Sequence, residues 1–111
     1  MPNFQHNIVL NGSFIAVIDG NKCKSINTFF EQISKAMNFP DYFGNNIDAF
    51  DEMMSDLEWI EEKNIVLIIM NYEHFLSEDK ELISVVNGIF FRATVELESF
   101  KVNLSVQTQK L

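Results

Sequence analysis

Residues 41 to 62 carry eight carboxylates (Asp41, Asp48, Asp51, Glu52, Asp56, Glu58, Glu61 and Glu62) and no Lys, Arg or His. Half of the chain's 16 acids therefore stand in one fifth of its length. Carboxylates in such numbers can transfer protons, bind a hard cation or meet a basic partner. Paired catalytic carboxyls flank a cleft from separate elements. Asp48 and Glu52 are four residues apart, which puts both on one face of a helix. Two or three surface carboxylates without carbonyl ligands make only a weak calcium or magnesium site. Acids in a helix's first turn complement its dipole, which accounts for Asp48 and Asp51, and a charge run is ordinarily a solvated face. The remaining placement resists that reading. Asp48 and Glu52, then Glu52 and Asp56, are like-charge pairs at i,i+4, each costing about 0.2–0.5 kcal/mol. A cationic partner offsets that cost.

The adjoining loop adds Tyr42 and Phe43, between Pro40 and Gly44. Rigid aromatics beside steering charges are what protein interfaces favour. Phe43 is expected to turn inward and Tyr42 outward. Other reactive residues lack company. His6 and His74 belong to no motif, and Cys23 reads as a packed thiol. A Gly-rich phosphate loop, zinc spacing and a calcium loop are all missing. The chain is accordingly expected not to be an enzyme and to need no cofactor or metal.

Composition sets the class. The 111 residues suit one domain, and 47% hydrophobic content with eleven Phe excludes intrinsic disorder. One cysteine cannot form an internal disulfide. The start, Met1 to Asn7, lacks the basic and apolar regions of a signal peptide, and the longest apolar run, Ile65 to Met70, is far short of a membrane span. A cytoplasmic location is expected. The net charge of −8 disfavours nucleic acid and anionic membranes and favours a basic partner.

The elements that must position these acids follow from periodicity. Ile8 to Leu10 and Phe14 to Ile18 flank Asn11-Gly12, the strongest short hairpin signal. A first helix is expected from Asn27, as N-cap, to about Met37, stopped by Phe39-Pro40. A second starts at the N-cap Asn46 and runs to about Asp56, with Ile47, Phe50, Met54 and Leu57 as its apolar stripe. Ser55 to Lys63 reads as a linker or frayed turn holding Trp59. Ile65 to Met70 is apolar throughout, the pattern of a central strand with helices on both sides. Ser77 is expected to cap a last helix over 78–97, in which Gly88 costs about 1 kcal/mol relative to alanine. Phe100, Val102, Leu104 and Val106 alternate as a half-exposed strand, and 107–111 read as a loose tail. The order β-β-α-α-β-α-β implies an α/β fold with a mainly parallel sheet and helical crossovers. Met70 is read as core and Trp59 as partly buried, with Met53, Met70 and Trp59 held open as interface residues.

The segment Phe39-Pro40-Asp41-Tyr42-Phe43-Gly44-Asn45-Asn46-Ile47-Asp48-Ala49-Phe50-Asp51-Glu52 resembles the signature of the barstar family: a proline, an acid, Tyr and another aromatic, Gly, a variable residue, Asn, an aliphatic, then Asp-Ala-Leu. Ile18-Asp19-Gly20 and the Ser-Ile helix start in Ser25-Ile26-Asn27 resemble the family too, and looser similarity covers about 14–106, leaving residues 1–13 as an extension with an added hairpin strand. The resemblance implies a three-layer fold, a small parallel sheet packed with helices. It implies a protein that binds a ribonuclease inside the producing cell, in a bacterium, and blocks it.

By resemblance Tyr42 is the interface tyrosine, Gly44 the loop glycine whose backbone nears the enzyme, and Asn46 the helix-capping asparagine. Asp48 matches the first interface aspartate, and Glu52 stands where the family's main inhibitory aspartate stands. Asp51 replaces an aromatic. Ala93 falls where the family has an interface glutamate, so that contact is expected to be lost, with Glu96 and Glu98 as candidate substitutes. Asp51, Asp56, Glu58, Glu61 and Glu62 are expected as rim charges. The alternative expectation is an acidic adaptor for another basic partner, a DNA-cleaving toxin or a protein that is not a nuclease.

Overall fold

The computed structural model describes residues 6–110. Residues 1–5 of the expected N-terminal extension, and Leu111 of the expected tail, lie outside the described residues. Strands β1 (Asn7–Leu10) and β2 (Ser13–Asp19) form the hairpin. Its turn residues Asn11 and Gly12 have φ of 50° and 80°, the two positive angles that a tight two-residue turn requires. Helices α1 (Ile26–Ala36) and α2 (Ile47–Asp56) lead to β3 (Asn64–Met70), and α3 (Ile83–Glu98) leads to β4 (Asn103–Thr108). The sheet order is β1-β2-β3-β4, with β1 antiparallel and the other pairs parallel. The α/β class, the parallel sheet with helical crossovers and the added hairpin strand thus match the sequence expectation.

The side on which the helices lie does not. The chain steps from β2 to β3 to β4 in one direction across the sheet. Right-handed crossovers then put every helix on the same face. Phe14, Ala16, Ile18, Ile65, Leu67, Ile69 and Leu104 are buried beneath α1 and α3. Residues on the other face, among them Ile15, Val17, Val66 and Ile68, remain partly exposed, and so does Met70, which was expected in the core. The three layers are therefore sheet, α1 with α3, and α2. The last packs on α3 and, through Phe50, against Phe29 and Phe30 of α1, with ring centroids 5.2 and 6.1 Å away.

Four boundaries differ from expectation. The N-cap of α1 is Ser25, not Asn27: Ser25 Oγ accepts from Thr28 N–H, and Thr28 Oγ1 accepts from Ser25 N–H, both at 3.2 Å. Asp79 Oδ2 accepts the next N–H, that of Ile26, at 2.7 Å. α3 begins at Ile83, because two short 3-10 turns precede it and bury Phe75 and Leu76. Ser77 caps nothing there; its N–H donates to His74. Phe100 and Val102 lie in the turn that follows α3 and not in a strand, since Lys101 is left-handed (φ 62°) and the Val102 N–H returns to Leu97. The expected loose tail is tied down as well: Gln107 and Thr108 are in β4, and the Gln109 N–H donates to Ile69.

The Ile18-Asp19-Gly20 motif closes the end of the β2–β3 pair. Asp19 Oδ1 accepts from Asn71 Nδ2 at 2.8 Å and from the Asn21 N–H at 2.9 Å. A Cβ on Gly20 would stand 2.2 Å from the Asn71 carbonyl oxygen, so only glycine fits. Cys23 is wholly buried, and burial, with the Asp19 charge adding, pushes its thiol up to about 12. Such a thiol is an inert packing group.

Candidate functional site

The site begins where α1 stops. Asn38 takes a left-handed conformation (φ 55°), and the Phe39 N–H reaches back to the Ser34 carbonyl at 2.9 Å. A turn follows at once, closed by the Phe43 N–H donating to the Pro40 carbonyl at 3.0 Å. Asp41 and Tyr42 are its two central residues. Both flanks are anchored inward. Phe43 packs edge-on against Phe39 at 4.9 Å and Phe30 at 5.7 Å between ring centroids. Tyr42 has no such support and is 73% exposed, so the turn presents its phenol to solvent. The expectation of Phe43 inward and Tyr42 outward is met.

Asn46 joins this loop to α2. Its Oδ1 accepts from the Ala49 N–H at 2.8 Å, capping the helix, and its Nδ2 donates to the Gly44 carbonyl at 3.2 Å. The side chain that starts the acidic helix therefore also fixes the loop glycine. Gly44 is exposed, and a Cβ there would come within 3.1 Å of Asn46 Nδ2.

α2 is divided sharply. Phe50, Met53 and Met54 are buried, and Leu57 beyond them closes the end in a left-handed conformation (φ 47°). Met53 is thus core, which removes it from the open list of interface residues. The opposite face carries Asp48, Glu52 and Asp56, all exposed. Among the described residues none of these three enters an ion pair. Asp48 stands in the first turn, where the helix dipole favours a carboxylate. Asp56 stands in the last turn, where the dipole opposes it and no basic residue compensates. Asp56 is thus not placed to stabilise the helix that bears it.

Asp51 differs. Its Oδ2 lies 3.0 Å from Nη2 of Arg92 on α3, whose Nε is 4.0 Å from Glu96. Forty-one positions separate Asp51 from Arg92, so no window of sequence contains the pair. Arg92 borders the site and was missed by sequence reasoning. Ala93, where the family's glutamate contact was expected to be lost, gives no interface contact. It is 2% exposed, packed in the core, and cannot hold an interface side chain. Of the two candidate substitutes, Glu96 joins the Arg92–Asp51 group, whereas Glu98 borders a separate groove with Lys101 and Asn103. Trp59 is partly buried as expected; its Nε1 donates to the Met37 carbonyl at 2.9 Å, and its ring meets Phe39 edge-on. The indole thereby ties the α2–β3 connection to the base of the Tyr42 turn.

Among the described residues no three His, Cys, Asp or Glu side chains are placed to share a metal ion, and no helix is long and apolar enough to cross a membrane. What the surface offers is a preformed display: one phenol, one exposed glycine backbone and a row of free carboxylates on a rigid helix. A protein-family model described as "Barstar (barnase inhibitor)" matches residues 13–109. A search of curated proteins found no match.

Proposed function

The chain belongs to the barstar family, whose members are inhibitors of barnase-type ribonucleases, and we propose that it silences a basic ribonuclease by laying the acidic face of α2 and the Tyr42 turn over the enzyme's active site. The observation that carries this reading is the row Asp48, Glu52 and Asp56, exposed and without ion pairs among the described residues, beside an outward Tyr42.

A ribonuclease must hold phosphate, and Arg and Lys do so with the same donors that bind a carboxylate. Asp48 and Glu52 occupy the phosphate positions. Glu52, one methylene longer than aspartate, reaches farther for its cation. Tyr42 covers the edge of the active site, and the exposed Gly44 lets the enzyme approach the loop backbone. Asn46 serves by holding Gly44 and α2 in one frame. Asp56, Glu58, Glu61 and Glu62 form a rim that draws the enzyme in. Asp51, shared with Arg92, contributes less charge and more rigidity. The chain itself performs no chemistry and acts in the compartment where the enzyme is made, the cytoplasm.

Binding is tested by capture. The immobilised protein is offered lysate and culture medium of the cells that make it, beside an Asp48→Ala/Glu52→Ala variant. A basic ribonuclease held by the wild type and released by the variant is the expected result. Each single alanine should cost about 2–5 kcal/mol, or roughly 30- to 4,000-fold in Kd, much of it from the cation left unpaired on the enzyme. Equal retention by wild type and variant would remove the acidic face from the mechanism. A DNA-cleaving enzyme or a protein without nuclease activity on the same face would keep the site and change the target.

A further inference from the structure

The acidic face has a cation on its border, and that cation is the only arginine in the sequence. Arg92 reaches across from α3, where its Nη2 donates to Asp51 Oδ2 at 3.0 Å. Asp51 follows Asp48 by three residues on α2, so the two are neighbours on the helix surface, about 5–6 Å apart at Cβ. The guanidinium therefore stands at the α3 edge of the row formed by Asp48, Glu52 and Asp56. Its pairing there is partial. A guanidinium carries five N–H donors, and among the described residues only Nη2 makes a hydrogen bond. The 4.0 Å from Nε to Glu96 is too long for one. The side chain is 51% exposed, so its remaining donors are open to a partner. One turn earlier on the same side of α3, Gly88 is exposed, and a Cβ there would meet nothing within 4 Å. Another chain can come close to the helix beside Arg92 without displacing a side chain.

We propose that Arg92 is a specificity-determining contact of the inhibitory surface, taking an aspartate or glutamate of the ribonuclease through its free donors while Asp51 holds it in place. This rests on the inhibitor reading. The chemistry of the target supplies the reason. A ribonuclease site holds cations for phosphate, and it also needs groups that move protons, for which Glu and Asp serve beside His. Acids laid over the cations would leave a carboxylate of the enzyme facing like charge inside a closed contact, which opposes association. One arginine at the border of the acidic row relieves that conflict. A guanidinium meets a carboxylate through two parallel N–H···O bonds in a fixed fork, so the match is geometric as well as electrostatic. Arg92 thereby favours enzymes with a carboxylate opposite it and rejects those with a cation there.

The sign of one substitution separates this contact from charge alone. The chain carries −8, and removing a cation from it should tighten binding to a basic enzyme if only the overall field matters. If Arg92 meets a carboxylate, Arg92→Ala should instead weaken binding by about 10-fold or more in Kd, chiefly through faster dissociation.

Surface plasmon resonance at fixed salt reads this, with the basic ribonuclease captured by the wild type as the probe. Wild type, Arg92→Ala, Asp51→Ala and the double variant are compared. Arg92→Ala should weaken binding, and it should do so again in the Asp51→Ala background. Circular dichroism checks each fold, and if Arg92→Ala fails to fold, Arg92→Gln, which keeps a polar stem and loses the charge, decides. Unchanged or tighter binding on loss of the arginine would overturn the proposal. So would a loss that disappears in the Asp51→Ala background, which would mean that Arg92 only positions Asp51. If Asp48→Ala/Glu52→Ala releases the enzyme while loss of Arg92 does not, the inhibitor reading stands and this contact falls. A wild type that holds no basic ribonuclease would overturn both.

Discussion

Asp19 shows how one carboxylate can serve the fold while Asp48, Glu52 and Asp56 of α2 enter no ion pair among the described residues. The hydrogen bond from Asn71 holds its carboxyl below the usual value of 3.8; partial burial opposes this, and the Asn21 N–H and nearby Lys22 add to it. A carboxyl whose folded pKa is depressed contributes stability above its unfolded pKa and loses it as pH falls through the folded one. Asp19→Asn should therefore lower stability at neutral pH. The gap to wild type should close below about 3.8, as read by urea unfolding along a pH series. A constant gap across that range would mean that the side chain acts through shape alone. The acids of α2 could be picked out from sequence because spacing alone places them on one face. The Asp51–Arg92 pair could not, since 41 positions separate its members. The loss of the family's glutamate contact at Ala93 was legible from the resemblance; that Ala93 packs in the core was not, because a resemblance aligns positions along a helix and does not report which side faces inward.

Capping explains most of the agreement and most of the misses among the elements. Asn46 was legible because an asparagine preceded an apolar period, and α2 spans the residues expected. The true cap of α1, Ser25, pairs with Thr28, a reciprocal arrangement more familiar with Glu or Gln in the second role. α3 starts late because the preceding segment is used elsewhere: Phe75 and Leu76 fill the core, and Asp79 caps α1 across 53 positions. Local pattern carries none of that. Gly88 remains an element without internal purpose. It lies inside α3, exposed, and a Cβ there would meet nothing within 4 Å. Gly88→Ala should raise stability by about 1 kcal/mol, since alanine loses less backbone entropy on entering a helix. Thermal or urea unfolding reads this directly, and a loss of stability would reveal a contact that the fold does not contain.

The whole molecule is a one-sided assembly. Two crossovers in the same direction put three helices above one face of the sheet, with α2 outermost. The acidic display is thereby placed as far as the fold allows from the apolar sheet face. Strand order and class followed from the alternation of elements, whereas the placement of all three helices on one face did not. A continuous apolar strand reads the same whether helices lie on one face or on both. The crowding of acids on one side also has a kinetic consequence. Association with a basic enzyme should be fast at low salt and slow steeply as salt is raised, with the dissociation rate nearly unchanged. Stopped-flow mixing separates the two rates, and an association rate indifferent to salt would leave the rim acids without their assigned role.

The most direct test of the account is a titration of RNA cleavage by the captured basic enzyme with the purified protein. Cleavage should fall in a straight line and vanish at one equivalent of wild type, while the Asp48→Ala/Glu52→Ala variant should leave most activity at that ratio. Undiminished cleavage in excess wild type, or equal inhibition by the variant, would contradict it.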